Sequence, residues 1–392
     1  MAKPELRKNV LLLANVPSPY LSPVYERLKA SADWNLTVCY VSVWNIGVGW
    51  APASAIDYTT STDVILIAQR SRIVPWLSDQ TTATLALLRL LAKEPADYFL
   101  IYGYTRLPQL FLIGWALLLN IPFAIAGDAN YYTDRAQGWR RAVKTWWLRL
   151  LARRAAALIV VGRASRMFWE TYGAPARRLF HAGFAVDNDY FRAESVRQKD
   201  YAAQLRRQFG WEKHTVFLYV GRLIERKNIH QLIAAAQQIN DLPVALLIAG
   251  DGEERAALEA LADGHQRVRF VGSLTQAELP LYYALSDVLV LPARAEPWGL
   301  VINEAMASGL AVIAHQHCGA TPDLVAADNG AVLQGFSVEE LADALRSLAQ
   351  DAATLLRFKQ RSQEKIRGWS IPQAALGLKQ AIDATSNKGG IK

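Results

Sequence analysis

The feature that most constrains this chain is the alternation, along its whole length, of short apolar runs with helical patterns. Strand candidates fall at Val10–Asn15, Leu36–Val41, Val64–Ala68, Tyr98–Tyr102, Pro122–Ala126 and Leu158–Val161. A second set falls at Val216–Val220, Val244–Ala249, Val268–Val271, Val288–Leu291, Ala311–Ala314 and Ala331–Leu333. Most are apolar on consecutive residues, so both faces must be covered, as in parallel strands lying between layers of helix. The expected class is α/β, twice over. Between the two sets, Asp187-Asn188-Asp189 and a charged stretch (Arg192, Glu194, Arg197, Lys199, Asp200) carry no strand pattern. The expected organisation is therefore a first Rossmann-like domain over residues 1–190, a linker over 191–210 and a second such domain over 211–370. A helix at about 371–385 is expected to return to the first domain. Two doubly wound domains in tandem turn the carboxyl ends of two sheets toward one cleft, where ligands of such sheets bind.

Composition narrows the classes further. Of 392 residues, 52% are hydrophobic and 20% charged, which excludes disorder and low complexity as the main organisation. The net charge of +8 is local: residues 1–100 carry +1, residues 101–200 carry +8 and residues 201–392 carry −1. Arg135–Arg178 contains 11 basic side chains and one acidic one, Glu170, so one face of the first domain is expected to meet something anionic, either nucleic acid or a membrane surface. Cys39 and Cys318 are too far apart in sequence for a disulfide framework or a cysteine metal site, which suits a reducing compartment. The apolar run Val10–Ala14 is too short for a signal-peptide core. Leu107–Ala126 approaches membrane-spanning length, but Gln109, Asn120 and Pro122 break it into a helix, a turn and a strand. Thr385–Lys392 is expected to fray.

Two segments carry chemistry. In Ala295-Glu296-Pro297-Trp298-Gly299-Leu300-Val301-Ile302-Asn303-Glu304-Ala305-Met306-Ala307-Ser308-Gly309, a loop after a buried strand runs into a helix that stops at Gly309. Glu296 precedes the helix and Glu304 lies in its second turn. Between them the amides of Gly299, Leu300 and Val301 form a helix N-terminus suited to phosphate, and glycine at 299 permits close approach. An isolated pair of glutamates could equally be a helix-end carboxylate and a solvated one. In Tyr219-Val220-Gly221-Arg222-Leu223-Ile224-Glu225-Arg226-Lys227-Asn228, a strand end places Arg222 and Lys227 at the mouth of the second sheet, where a guanidinium fork and an ammonium could hold a pyrophosphate. A solvated basic cluster is the plainer alternative.

Taken together with Ala249-Gly250-Asp251-Gly252-Glu253, Phe270-Val271-Gly272-Ser273 and Gly319-Ala320-Thr321-Pro322-Asp323-Leu324-Val325, these segments resemble the retaining glycosyltransferases of family 4, which have the GT-B fold. The resemblance covers most of the second domain and is weaker in the first. It implies a metal-independent hexosyltransferase that takes a UDP- or GDP-sugar and needs no cofactor. Arg222 and Lys227 would bind the donor diphosphate after the turn at Gly221. Glu296 would hold hydroxyls of the transferred sugar and Glu304 the ribose. The amides of Gly299, Leu300 and Val301 would receive phosphate or sugar oxygens, and Gly272 and Ser273 would lie along the base.

The chain departs from that pattern in the first domain. Where many relatives have a Gly-Gly loop after the first strand, it reads Val16-Pro17-Ser18-Pro19-Tyr20-Leu21; where many have a histidine, it reads Gly127-Asp128-Ala129-Asn130. Asp128 is the candidate to replace that histidine in catalysis, or else a turn aspartate. Lys227-Asn228 stands for a usual Lys-Gly. Asp187-Asn188-Asp189 has a metal-binding form but lies at the domain boundary, so it reads as a turn. Among six histidines only His315 and His317 lie close enough to act together, in a structural or substrate-contacting role.

The basic excess centres on Trp139–Arg154. Trp139, Val143, Trp146 and Leu150 make one narrow apolar stripe, expected to face the core. Arg140, Lys144, Trp147 and Leu151 make an adjoining stripe of cations and large apolar groups, so Arg140, Arg141, Lys144 and Trp147 are expected to face an anionic membrane. A solvated basic face is the alternative. The combined expectation is a transferase at the cytoplasmic face of the membrane, acting on a glycan or lipid-linked acceptor and not on nucleic acid. A nucleotide-sugar 2-epimerase and a non-catalytic GT-B subunit that binds a membrane or partner are the competing readings.

Overall fold

A computed structural model of the chain describes residues 7–41, 64–66, 75–134, 137–265 and 267–386. The end of the expected third strand, Ile67–Ala68, and residues 387–392 of the expected frayed tail lie outside them.

The apolar runs form strands β1 (Asn9–Ala14), β2 (Asn35–Tyr40), β3 (Val64–Leu66), β4 (Tyr98–Tyr102), β5 (Phe123–Ala126), β6 (Ala157–Val160) and β7 (Leu179–His181), all parallel, in the order β3-β2-β1-β4-β5-β6-β7. Their helices are α1 (Ser22–Ser31), α2 (Pro75–Lys93), α3 (Leu107–Leu119), α4 (Gly138–Arg154) and α5 (Arg163–Thr171). β1, β4, β5 and β6 are buried on both faces apart from Asn9 at the tip of β1, the physical reason their sequences do not alternate. β7 is an extra strand beyond the six expected in this half.

Residues 191–210 are not a linker. Most of them lie in α6 (Asn188–Arg197) and α7 (Lys199–Gln208), both of which pack on α10 (Leu279–Leu285) of the second domain. Asp187 caps α6 by accepting from the Tyr190 amide at 2.9 Å. The second sheet has the order β10-β9-β8-β11-β12-β13, built from β8 (Thr215–Val220), β9 (Val244–Ala249), β10 (Val268–Gly272), β11 (Val288–Leu291), β12 (Ala311–His315) and β13 (Gly330–Leu333). Its other helices are α8 (Ile229–Gln238), α9 (Arg255–Leu261), α11 (Leu300–Ala307), α12 (Thr321–Leu324), α13 (Val338–Gln350) and α14 (Ala352–Ile366).

The last helix, α15 (Ile371–Thr385), lies on the first domain. Ala374, Ala375, Leu378, Ala381 and Ile382 share a core with β1, α1 and β4. Trp34 Nε1 donates to Asp383 at 2.8 Å, and the hydroxyls of Tyr98 and Thr385 meet at 2.7 Å. The chain crosses between the domains at Val186 and Ser370, which pair as a parallel bridge. In both sheets the strand order reverses beside the first strand, between β1 and β4 and between β8 and β11, which places the ligand crevice at the loops that follow those strands.

Helix α4 turns the other way from the sequence expectation. Leu148, Leu151 and Ala152 are buried, Trp147 is half-buried with its indole N–H donating to the Tyr104 carbonyl at 3.1 Å, and Lys144 pairs with Asp134 at 2.7 Å. Trp139, Val143 and Trp146 are 74%, 55% and 65% exposed. The stripe assigned to the core therefore faces solvent, while Lys144 and Trp147, expected on the outer stripe, are half-buried against the first domain; Arg140 and Arg141 remain exposed. The sequence held two apolar stripes, and the core took the one on the side of Leu148, Leu151 and Ala152, which continues into Ala155. Among the described residues no helix is long and apolar enough to cross a membrane.

Candidate active site

The tips of β8, β9 and β10 are fixed by glycine. The Gly221 amide donates to Ala249 at 3.0 Å and the Gly250 amide to Gly272 at 2.7 Å. At 250 a Cβ would sit 1.8 Å from the Gly221 carbonyl oxygen, so no other residue fits without moving the backbone. Tyr219, buried under the turn, donates its hydroxyl to the Arg222 carbonyl at 2.9 Å. Arg222 is exposed at the mouth of the sheet and makes no ion pair among the described residues, while Ser273 is exposed beside Gly272. Asn228 sits at φ 62°, ψ 34°, the left-handed conformation a glycine would supply; asparagine is among the few other residues that tolerate it, so the departure from Lys-Gly preserves the turn.

Opposite this turn lies the loop between β11 and α11. Lys227 donates to Glu296 Oε2, and Arg226 lies 4.0 Å from the same oxygen. The lysine and glutamate side chains are 10% and 14% exposed. The Glu296 backbone is fixed on both sides: its amide donates to the His317 carbonyl at 3.3 Å and its carbonyl accepts from Gly319 at 3.0 Å. Gly299, at φ 92°, turns the chain into α11; a Cβ there would sit 3.0 Å from Leu291 and 3.4 Å from the Glu296 side chain, so the helix begins at Leu300 directly after the turn that packs on Glu296.

Glu304 is fully buried, not a solvated helix residue. Its two carboxylate oxygens each accept from a tyrosine, Oε1 from Tyr20 at 2.7 Å and Oε2 from Tyr283 at 2.6 Å. Burial raises its pKa to about 7 against the pull of those two hydrogen bonds.

The first domain contributes the far wall. Asp128 follows β5 and is open to the cleft; the protein mass around it and the Glu296 charge raise its carboxyl above the ordinary range. The adjacent Asn130, which sequence reasoning did not single out, is buried and donates its amide to the carbonyls of Glu296, at 3.1 Å, and Pro297. Tyr132 stacks on His317 with ring centroids 5.0 Å apart. His315 is buried against Phe336 and accepts from the His317 amide at 3.0 Å; burial first, and then His317, lowers its pKa to about 4. The arrangement is a cleft with cations and helix amides for an anion, the Glu296 carboxylate for hydroxyls and the Asp128 carboxylate on the opposite wall. Of the expected residues, Lys227 and Glu296 are in direct contact and Gly299 lies beside Glu296, Arg222 is exposed at the mouth of the second sheet, Asp128 is exposed on the first domain, and Glu304 lies behind a tyrosine. Among the described residues no group of three or more metal-ligating side chains occurs.

Residues 202–365 match the family model for glycosyl transferases group 1. Alpha-D-kanosaminyltransferase of Streptomyces kanamyceticus is 29% identical over 245 residues, covering 60% of this chain and 63% of that protein. A GDP-mannose-dependent alpha-(1-6)-phosphatidylinositol monomannoside mannosyltransferase of Mycobacterium tuberculosis is 32% identical over 189 residues, covering 45% of this chain and 48% of that protein. The chain thus spans less than two thirds of the length of either relative. Among solved structures, sucrose-phosphate synthase from Thermosynechococcus elongatus superposes with a TM-score of 0.74 at 20% identity, covering 96% of this chain and 98% of that one. Anabaena HepE in complex with UDP superposes with a TM-score of 0.73 at 18% identity, covering 96% and 100%. At these identities the superpositions establish the fold, which is GT-B.

Proposed function

We propose that this chain, whose residues 202–365 match the family model for glycosyl transferases group 1, is a retaining, metal-independent hexosyltransferase that moves a sugar from a nucleotide diphosphate to a glycan or lipid-linked acceptor. The observation that carries the reading is the Lys227–Glu296 pair at the switch point of the second sheet, with the start of α11 following Gly299 next to Glu296. In this reading Arg222 and Lys227 hold the diphosphate and stabilise the charge that grows on it as the anomeric carbon–oxygen bond breaks. Glu296 holds sugar hydroxyls. The acceptor oxygen forms its bond to the same face of the anomeric carbon and passes its proton to the departing phosphate oxygen, so no side-chain nucleophile is required. In this reading Asp128 orients the acceptor or a donor hydroxyl. The HepE structure with UDP-glucose supports a nucleotide-sugar donor, as does the GDP-mannose dependence of the mycobacterial relative. A thermal-shift screen against UDP- and GDP-sugars tests the reading: the true donor at about 100 times its Kd should stabilise the protein by about 2.7 kcal/mol, and no shift with any nucleotide sugar would refute it.

The same reading places the protein at the inner face of a membrane, on a surface different from the one the sequence suggested. The exposed face of α4 is centred on Trp146, flanked by Trp139, Val143 and Leu150, with Arg149 and Arg153 beside them. Indoles that enter an interface and guanidiniums that meet anionic head groups make such a face attractive to an anionic bilayer. Co-sedimentation with phosphatidylglycerol vesicles at low salt is expected to drop at least tenfold on joint replacement of Trp139 and Trp146 by Ser and Arg149 and Arg153 by Ala, each basic group contributing roughly 1 kcal/mol. Equal sedimentation of wild type and variant would remove the membrane from this account.

A further inference from the structure

The loop Val16-Pro17-Ser18-Pro19-Tyr20-Leu21 follows β1 at the switch point of the first sheet, yet Tyr20 reaches across the cleft. Its hydroxyl donates to Glu304 of the second domain at 2.7 Å, and its ring packs against that domain's core. The next residue, Leu21, packs in the core of the first domain. Two prolines fix φ on either side of Ser18, whose hydroxyl accepts from the Tyr20 amide at 3.3 Å and whose carbonyl accepts from Ser22 at 2.9 Å. The loop is therefore a stiff arm with a phenol at its end.

Glu304 is enclosed on all sides. Tyr283, which holds its other oxygen, is fully buried within the second domain, so Tyr20 is the one of the two hydroxyl partners that comes from across the cleft. A diol entering from the cleft would reach the carboxylate only by taking the place of the Tyr20 hydroxyl. The exchange replaces one charge-assisted O–H···O bond by one or two of the same kind, so its cost lies in moving the arm.

We propose that Tyr20 is a displaceable stand-in for the donor's ribose, which competes with it for Glu304 and, on binding, releases the β1–α1 loop of the first domain. The inference rests on Glu304 as the ribose carboxylate. It makes Tyr20 a positioning residue that couples occupancy on the donor side to the conformation of a loop on the acceptor side. The apparent affinity for nucleotide is then the intrinsic affinity reduced by the fraction of molecules with the arm withdrawn.

Isothermal titration with UDP and GDP, and with their 2′,3′-dideoxy forms, separates the possibilities. For the nucleotide that binds, Tyr20→Phe keeps the ring packing and should bind about tenfold more tightly than wild type, while the dideoxy form, which has no hydroxyl for Glu304, should bind both proteins alike. Tyr20→Leu should show the same dependence on ribose hydroxyls, which covers the case that the phenylalanine variant melts early by circular dichroism. An affinity for UDP or GDP that the variants do not improve, or an equal gain for ribo and dideoxy forms, overturns the stand-in while leaving the transferase reading intact. Failure of wild type and both variants to bind either ribonucleotide overturns the transferase reading and the stand-in with it.

Discussion

Replacing Lys227 by alanine is expected to lower kcat by about 10²-fold or more while circular dichroism shows the fold retained. The lysine is buried, fixed by a 3-10 turn and held against Glu296, with Arg226 4.0 Å from the same carboxylate oxygen, so its position is set before any ligand arrives. A preorganised cation beside the departing diphosphate acts at the moment charge develops and costs no reorganisation then. Among the described residues its removal leaves Glu296 with the more distant Arg226 as its cation, so the carboxylate that should hold the sugar loses its orientation. Glu296→Gln is expected to lose turnover to a similar degree. If the two side chains act as one unit, the double variant should fall little below the worse single variant. Near-normal turnover in Lys227→Ala would mean that the catalytic centre lies elsewhere in the cleft.

The second large effect is expected at Gly250. A methyl group there would sit 1.8 Å from the Gly221 carbonyl oxygen, and the backbone φ of 146° disfavours any side chain. Overpacking against backbone and strain at φ together should cost about 3 kcal/mol or more. In domains of this size that lowers the melting temperature by roughly 6 °C or more. The clash also pushes the Gly221 turn, so nucleotide affinity should fall together with stability. Gly114 in α3 is the control, since a Cβ there meets nothing within 4 Å and alanine favours helix, so Gly114→Ala should be neutral or slightly stabilising. A Gly250→Ala protein that melts with wild type would show that the β8 and β9 tips are looser than their hydrogen bonds indicate.

Most of the fold was legible because strands covered on both faces leave no ambiguity of period: residues such as Val288–Leu291 and Val244–Ala249 have no polar side to hide. β7 escaped notice because three residues after Arg177-Arg178 carry too little pattern. α6 and α7 read as a linker because their buried residues are sparse, Phe191 and Ser195 in one and Ala202 in the other, amid charge. In α4 two stripes competed, and no count of apolar residues shows which of them a sheet will accept. The site divides similarly. Lys227, Glu296 and the glycines stood out by motif and spacing. Asn130 and Tyr283 did not, since a loop asparagine and a buried tyrosine are common, and only the fold reveals which carbonyl or carboxylate each one meets. Tyr20 was visible only as the residue standing where a glycine loop was expected.

The position of α15 has a consequence for how the molecule is made. A ribosome releases the first domain's strands long before residues 371–385, yet that helix closes the side of the core formed by Leu28, Trp34 and Tyr98. Until residues 371–385 emerge, this apolar side stays wet, and the first domain is completed only after the second has been synthesised. Assembly of the two halves is thus ordered by the chain itself: the domain begun first is finished last.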